Sequence, residues 1–375
     1  MLYCTHESAF GIPVFPKRSM QRGENMAGIT YKCPNCGAYL TFDPETQQWK
    51  CPFCSSAFPE SELKGKAEAF QKEAEKEAKE PSSGAQVVYH CPSCGSEIMT
   101  DETTVATHCY YCHSPVVLQG KLTADMKPDE VLPFTIGREK AIEEISEWIR
   151  TRKFVPKKFF SKAQIQEMSG VYYPHFVSEC QTEGVLDGEA TTSDVFDEGK
   201  YVVTNTRHYH VRREGRFVFK DILRPALSKA NRKLTEGVHP FPLENAKPFS
   251  GAFLSGFLAE RRDLEADSYR QEIEQELQGY MNSMLRDTAS QYETCSASTS
   301  SAMKNIKTKY VLLPTWVLTY PNKKNKDDPY YYVMNGCTGQ VCGKLPVDQG
   351  RLWRHGLLAG LIVAALFCVL AYFLF

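Results

Sequence analysis

The 375-residue chain reads as an α+β protein with tandem all-β cysteine ribbons, a strand-rich α+β domain holding one long helix, and one C-terminal transmembrane helix. Three observations predict this. Cys-x-x-Cys pairs recur four times between residues 33 and 112. Beyond Gly170 the chain carries β-branched and aromatic runs of strand length, interrupted by one long amphipathic stretch. The final run, residues 356–375, contains no charge.

The cysteines set the first element. Cys33/Cys36 and Cys51/Cys54 are matched by Cys91/Cys94 and Cys109/Cys112 at a constant shift of 58 positions, which Pro34/Pro92, Gly37/Gly95 and Asp43/Asp101 also obey. A fixed shift of this kind is an internal duplication. Fourteen residues separate the two pairs in each copy, so each copy is a complete four-ligand set. Zinc takes four thiolates at about 2.3 Å in a tetrahedron, and a two-residue spacing lets one tight turn present two sulfurs to one ion. Two structural Zn2+ ions are therefore expected. Cys33, Cys36, Cys51 and Cys54 hold one; Cys91, Cys94, Cys109 and Cys112 hold the other. Four ligands leave no open coordination position, so neither ion is catalytic. Gly37 and Gly95 follow the first knuckles, whereas the second knuckles, CPFCSS and CYYCHS, lack that glycine. Lys32, Lys50, His90 and His108 stand just before the knuckles and read as polar flanks.

The remaining elements follow in order. Residues 1–27 read as an unstructured or mis-assigned N-terminus, with Arg22-Gly23-Glu24 just ahead of Met26, the expected start. The first ribbon covers 28–60 and the second 85–120. Between them, 61–84 reads as a helical linker with i,i+4 pairs Glu68/Lys72 and Glu75/Lys79, stopped by Pro81 and Gly84. Residues 121–350 form the α+β domain. It opens with the strand VLPF at 131–134 and an amphipathic helix from Gly137 to Lys153, whose apolar face is Ile142, Ile145, Trp148 and Ile149. A short helix over 161–170 follows, then the strands VYYPHFVSE, YVVTNTRHYHVRR and GRFVFKDI. The longest soluble helix spans 262–288, with a stripe of Leu264, Tyr269, Ile273, Leu277, Met281 and Met284. YVLLPTWVLTY and YYYVMNG supply two more strands. GVYYPHFV and YVLLPTWV match at an offset of 140, a second duplication in which each proline marks a strand edge or bulge. His175, His208 and His210 read as polar sheet positions, and Cys337 and Cys342 as free thiols on a hairpin. Cys4, Cys180, Cys295 and Cys368 have no evident partners.

The uncharged run at 356–375 covers about 30 Å as a helix, the thickness of a bilayer core. Arg351, Arg354 and His355 precede it and no basic residue follows, so the positive-inside rule puts the N-terminal bulk in the cytoplasm of a single-pass membrane protein. Gly356, Gly360, Ala364 and Cys368 form a small-residue stripe on which two anchors could pack, which makes a homo-oligomer an expectation.

Composition narrows function. The formal net charge is −1, and residues 86–120 hold three acids and no Lys or Arg. Phosphate contacts carry much of nucleic-acid affinity, so this reads against nucleic acid as a partner. Fourteen cysteines, eight of them in knuckles, fit a reducing compartment. No phosphate-binding loop, nucleophile elbow or HExxH appears; the nearest stretch, TGQVCGK, has Thr338 where the loop needs glycine. The chain reads as a non-enzyme.

The paired ribbons YKCPNCGAYLTFDPETQQWKCPFC and YHCPSCGSEIMTDETTVATHCYYC, followed by GVYYPHF, SGFLAE, YVLLPTW and NGCTGQVCGKLP, resemble a family of bacterial tandem zinc-ribbon, tail-anchored membrane proteins. Its members are often labelled similar to primosomal protein N′ (replication factor Y), a helicase whose ATPase loop is missing here. The resemblance implies a membrane-attached zinc-ribbon protein near membrane-stress and flotillin-like proteins. The functional expectation is a scaffold or recruiter of protein partners in envelope stress. The alternative is a nucleic-acid-binding ribbon protein related to replication factor Y but lacking ATPase.

Overall fold

The computed structural model describes residues 26–27, 31–63, 87–91, 97–100, 103–109, 114–118, 126–156, 168–320 and 330–374. In chain order the strands are β1 (Met26–Ala27), β2 (Thr41–Asp43), β3 (Gln48–Lys50), β4 (Ala57–Phe58), β5 (Val87–His90), β6 (Glu97–Thr100), β7 (Thr104–His108), β8 (Pro115–Val117) and β9 (Glu130–Val131). Helix α1 (Arg138–Arg150) leads to β10 (Ser169–Glu198), β11 (Tyr201–Pro225) and the short α2 (Arg232–Glu236). Then come β12 (Lys247–Pro248), β13 (Leu258–Glu260), α3 (Arg270–Asp287), β14 (Thr294–Tyr320), β15 (Tyr330–Asn335), β16 (Val341–Gly343) and α4 (Gln349–Leu374). The chain is α+β and strand-rich, as its sequence predicts. Met26 and Ala27 pair in parallel with Tyr89 and His90, so the last two residues of the N-terminal segment expected to be unstructured are a strand. Residues 60–63 are helical, while the rest of the linker and the expected helix over 161–170 lie largely outside the described residues.

β10 and β14 form an antiparallel spine, paired from Ser169↔Val317 to Thr191↔Thr294. Each is flanked first by a short parallel strand and then by the return strand of its own hairpin. Val171 and Tyr172 take Leu258 and Ala259 of β13, and from His175 onward β10 takes β11. Val311 and Leu312 take Glu130 and Val131 of β9, and from Thr315 onward β14 takes β15. Pro174 and Pro314 sit where one neighbour ends and the next begins. A residue without an N–H breaks no ladder bond there. The sequence suggested a strand edge or bulge for these prolines; they lie instead in central strands, at gaps between neighbours. Their carbonyls accept from the N–H groups of Ala226 and Gly336, both at 2.9 Å. The carbonyls of Ala226 and Gly336 accept in turn from Asp263 (3.0 Å) and from Ile136 (3.0 Å).

The 140-residue offset is thus half of a larger repeat. β9–α1–β10–β11 and β13–α3–β14–β15 are two copies of one unit, each lending its first strand to the other's long strand. Their helices correspond as well. Ile145 and Ile149 of α1 stand 128 positions before Ile273 and Leu277 of α3, the shift that relates Glu130 to Leu258.

At its base the spine is buried on both faces, which is why its sequence is a continuous apolar run rather than an alternation. Tyr172, Phe176, Tyr310, Leu312 and Trp316 face one core with Phe134 and Phe257; Val171, Tyr173, Val311, Leu313 and Val317 face another with Val238 and Phe241. Further out the same strands run on as an arm, β10 alone spanning about 100 Å. There only one face is covered. Ile273, Leu277, Met281 and Leu285 of α3 pack on Cys180, Leu186, Ala190 and Val211, each large side chain contributing about 1.5–3 kcal/mol by burial. Gly184 lets the helix approach, because a Cβ there would stand 2.3 Å from Met281 Sδ. The helix begins at Arg270, and its buried stripe ends on Leu285; Met284, expected in the stripe, is half exposed. Helix α4 is 26 residues long and exposed from Leu352 to Cys368.

Candidate metal centre

The first cysteine repeat folds as two knuckles on the three-stranded sheet β2–β3–β4. Cys33 N–H donates to Ala38 O (2.6 Å) and Gly37 N–H to Cys33 O (2.9 Å); Cys51 N–H donates to Ser56 O (2.9 Å) and Ser55 N–H to Cys51 O (3.0 Å). Gly37 has φ +73° and Ser55, its counterpart in the knuckle that lacks glycine, has φ +57°. Serine therefore carries a left-handed conformation that glycine adopts without cost.

These turns bring Cys33, Cys36, Cys51 and Cys54 together, their sulfurs all within 4.8 Å of one another. Cys33 Sγ lies 3.6 Å from Cys54 Sγ, and Cys36 Sγ lies 3.5 Å from Cys51 Sγ. Such a set could hold a metal ion. Ser56 Oγ, which accepts from Asn35 Nδ2 at 3.0 Å, sits 3.3 Å from Cys54 Sγ. The Ser56 hydroxyl and backbone N–H lower the Cys54 thiol to about 6. At Cys36 the Ala38 N–H works in the same direction, but the Cys51 sulfur, burial and the other two sulfurs outweigh it and push that thiol up to about 12. Four adjacent thiolates need a cation, and a bound metal displaces the protons they otherwise share. Asn35 and Ser56 were missed in the sequence, although Ser56 and Ser114 obey the 58-residue shift. Lys50 pairs with Asp43 on the neighbouring strand.

The knuckles do not hang free. Trp49 Nε1–H donates to Ala252 O (2.8 Å), Phe42 N–H to Ser255 O (2.9 Å), and Gln47 Nε2–H to Phe134 O (2.7 Å). Phe42 and Trp49 meet the Phe253 ring at 5.3 and 5.2 Å, and Phe257 stacks on Phe134 at 4.3 Å. The centre is thus seated on the junction between the two interlocked units.

In the second repeat Cys91 and Cys109 are buried, while Cys94 and Cys112 lie outside the described residues. The described part repeats the first. Cys109 N–H donates to Ser114 O (2.9 Å), the equivalent of Cys51 to Ser56, and Thr107↔Val116 repeats Trp49↔Phe58. Its hairpin joins the large sheet through Ala106↔Ala259.

The other sites singled out in the sequence separate. His208 and His210 are exposed on β11, with His210 Nε2 3.1 Å from Asp187. His175, also expected to be a polar sheet position, is instead buried. Its Nδ1 lies 3.2 Å from Tyr173 O, and burial lowers it to about 4. Cys337 and Cys342 flank the β15–β16 turn as free thiols. A polar cluster not legible in the sequence surrounds buried Arg224, which pairs with Glu276 and, at 3.3 Å, with Glu272 of α3, beside a cavity of about 560 Å³.

No family model and no solved structure matches the chain. It is similar to YdjG, an uncharacterized protein of Bacillus subtilis (strain 168), at 29% identity over 339 residues, covering 90% of this chain and 96% of the relative. One helix, at Gln349–Cys368, is long and apolar enough to cross a membrane among the described residues.

Proposed function

We propose that this is a membrane-anchored, cytoplasm-facing zinc-ribbon protein, a non-enzymatic scaffold that recruits protein partners in the response to envelope stress. The observation that carries it is the pairing, on one chain, of a closed four-sulfur cluster with an apolar helix none of whose span is buried. Zinc fits the cluster. A tetrahedron with metal–sulfur bonds of about 2.3 Å has edges of roughly 3.8 Å, near the observed separations. Four protein sulfurs fill the shell and leave no place for substrate, so the ion fixes the ribbon on the core. The repeated knuckle bond and hairpin register of the second repeat support a second zinc on Cys91, Cys94, Cys109 and Cys112. Arg351 and Arg354 before the apolar span support a cytoplasmic bulk. The resemblance to bacterial zinc-ribbon membrane proteins favours partners of the membrane-stress and flotillin-like kind.

Alkaline extraction of membranes and capture of bound proteins from detergent extracts test the reading together. The full chain stays with the membrane, a chain ending before Gln349 is released, and wild-type protein captures a defined protein set that C33S/C36S does not. A full chain recovered in the soluble fraction, or capture of nucleic acid instead of protein, would contradict it.

A further inference from the structure

The arm has two long open edges, and they are unlike. β11, on one side, carries Arg207, Arg212, Arg213, Arg216 and Lys220. Charged side chains along an edge strand are a common device against pairing with another chain. β14, on the other side, meets β9 only at Val311–Leu312 and β15 from Thr315 onward. Among the described residues no strand lies along its outer edge, opposite β10, from Thr294 to Lys309. Within that open stretch Thr294–Met303 has no charge and no proline, and it pairs with β10 without a register shift. Its side chains alternate, with Ser296, Ser298 and Ser300 exposed on the face away from α3. One carbonyl, that of Ala297, accepts from Arg286 at 3.0 Å. The usual protections run along β11 and are missing from Thr294–Met303 of β14.

We infer that the β14 edge at Thr294–Met303 is a homodimer surface, pairing antiparallel with the same segment of a second copy. The occupant follows from the segment's own chemistry. A twofold pairing centred on Thr299 sets Ser298 against Ser300 and meets no like charge within the run. The charges that bound the run, Glu293 and Lys304, are opposite in sign, and in this register they face Asn305 and Thr294 of the copy, so no like charges meet at either end. Pairing the identical patch on both subunits closes the assembly at two and leaves the guarded β11 edges outermost. The result is a six-stranded arm with both α3 helices on one face.

The test is the protein mass of the full chain in detergent micelles, from light scattering corrected for bound detergent. Wild type is a dimer. S298K/S300K, with both changes at exposed positions, sets lysine against lysine across the twofold and yields a monomer with an unchanged melting temperature. G360L, in the small-residue stripe of the membrane helix, leaves the dimer intact. Hydrogen exchange is the second readout. Amides of 294–303 exchange at least tenfold more slowly in wild type than in S298K/S300K. A monomeric wild type, a dimer that survives S298K/S300K, a dimer that G360L abolishes, or equal exchange in the two proteins would overturn the inference.

Discussion

The two interlocked units begin alike and end differently. In both, a short strand, a helix and a long strand meet at a proline set between successive neighbours. In the second unit the hairpin stops soon after this junction, where Tyr320 pairs with Tyr330, and Met334 lies fully buried in the shared core. In the first unit the hairpin runs on to Glu198 and turns back through β11, and Arg224 occupies the position that Met334 holds in the other copy. The shared junction is buried on both faces and does the holding; the extension has a core on one face only. Elongating one hairpin therefore added surface more than stability.

Changes at the junction should cost most. Phe257 stacks on Phe134 and packs beside Tyr172 and Trp316. Phe257→Ala is expected to lower global stability by about 4–5 kcal/mol in chemical denaturation, and a loss below about 1 kcal/mol would show that the junction is not the common core. Next comes acid. His175 takes the place of Thr315 in the other copy and is held near 4 by burial, against an ordinary value of 6.5. Above 6.5 the group is neutral folded or unfolded. Between 6.5 and about 4 the unfolded chain binds a proton that the folded chain excludes, so stability falls as pH drops through that window, by about 3 kcal/mol in all. His175→Thr should flatten this slope in stability measured from pH 7 to 4. In the arm, Leu186→Ala should cost about 2–3 kcal/mol. Hydrogen exchange should place the loss in residues 180–217 and not in 310–318, which would separate arm from base. The smallest effect is expected where the copies are made alike. Arg224→Met replaces a buried guanidinium whose carboxylate partners are each about 40% exposed, so no charge is stranded, and stability should change by less than about 1 kcal/mol.

Much of this was legible in the sequence. The cysteine spacing locates the two knuckles of the first repeat, the helical periodicity gives the apolar face of α1 as Ile142, Ile145, Trp148 and Ile149, and the 140-residue offset points to the duplication. The 128-residue offset is not legible in the sequence because only scattered core positions such as Ile145/Ile273 preserve it, while the exposed residues between them are free to differ. The docking of the first ribbon was also hidden. Trp49 and Phe42 look like ordinary ribbon residues until Phe253 and Phe257, some 200 positions later, arrive beneath them. The paired carboxylates of Arg224 sit on a helix whose sequence shows only a solvated charged face. That face became a binding surface through a partner strand the local pattern does not reveal.

The four-cysteine ribbon, which could hold a metal ion, is seated at the junction of the two units. Metal analysis of the purified full chain, before and after C33S/C36S and combined with thermal unfolding, addresses this directly. Wild type should carry two zinc ions per chain and lose one in C33S/C36S, with the junction melting at lower temperature once the ion is gone. A wild-type protein without bound metal, or a ribbon variant that loses its ion while the junction melts unchanged, would contradict the account.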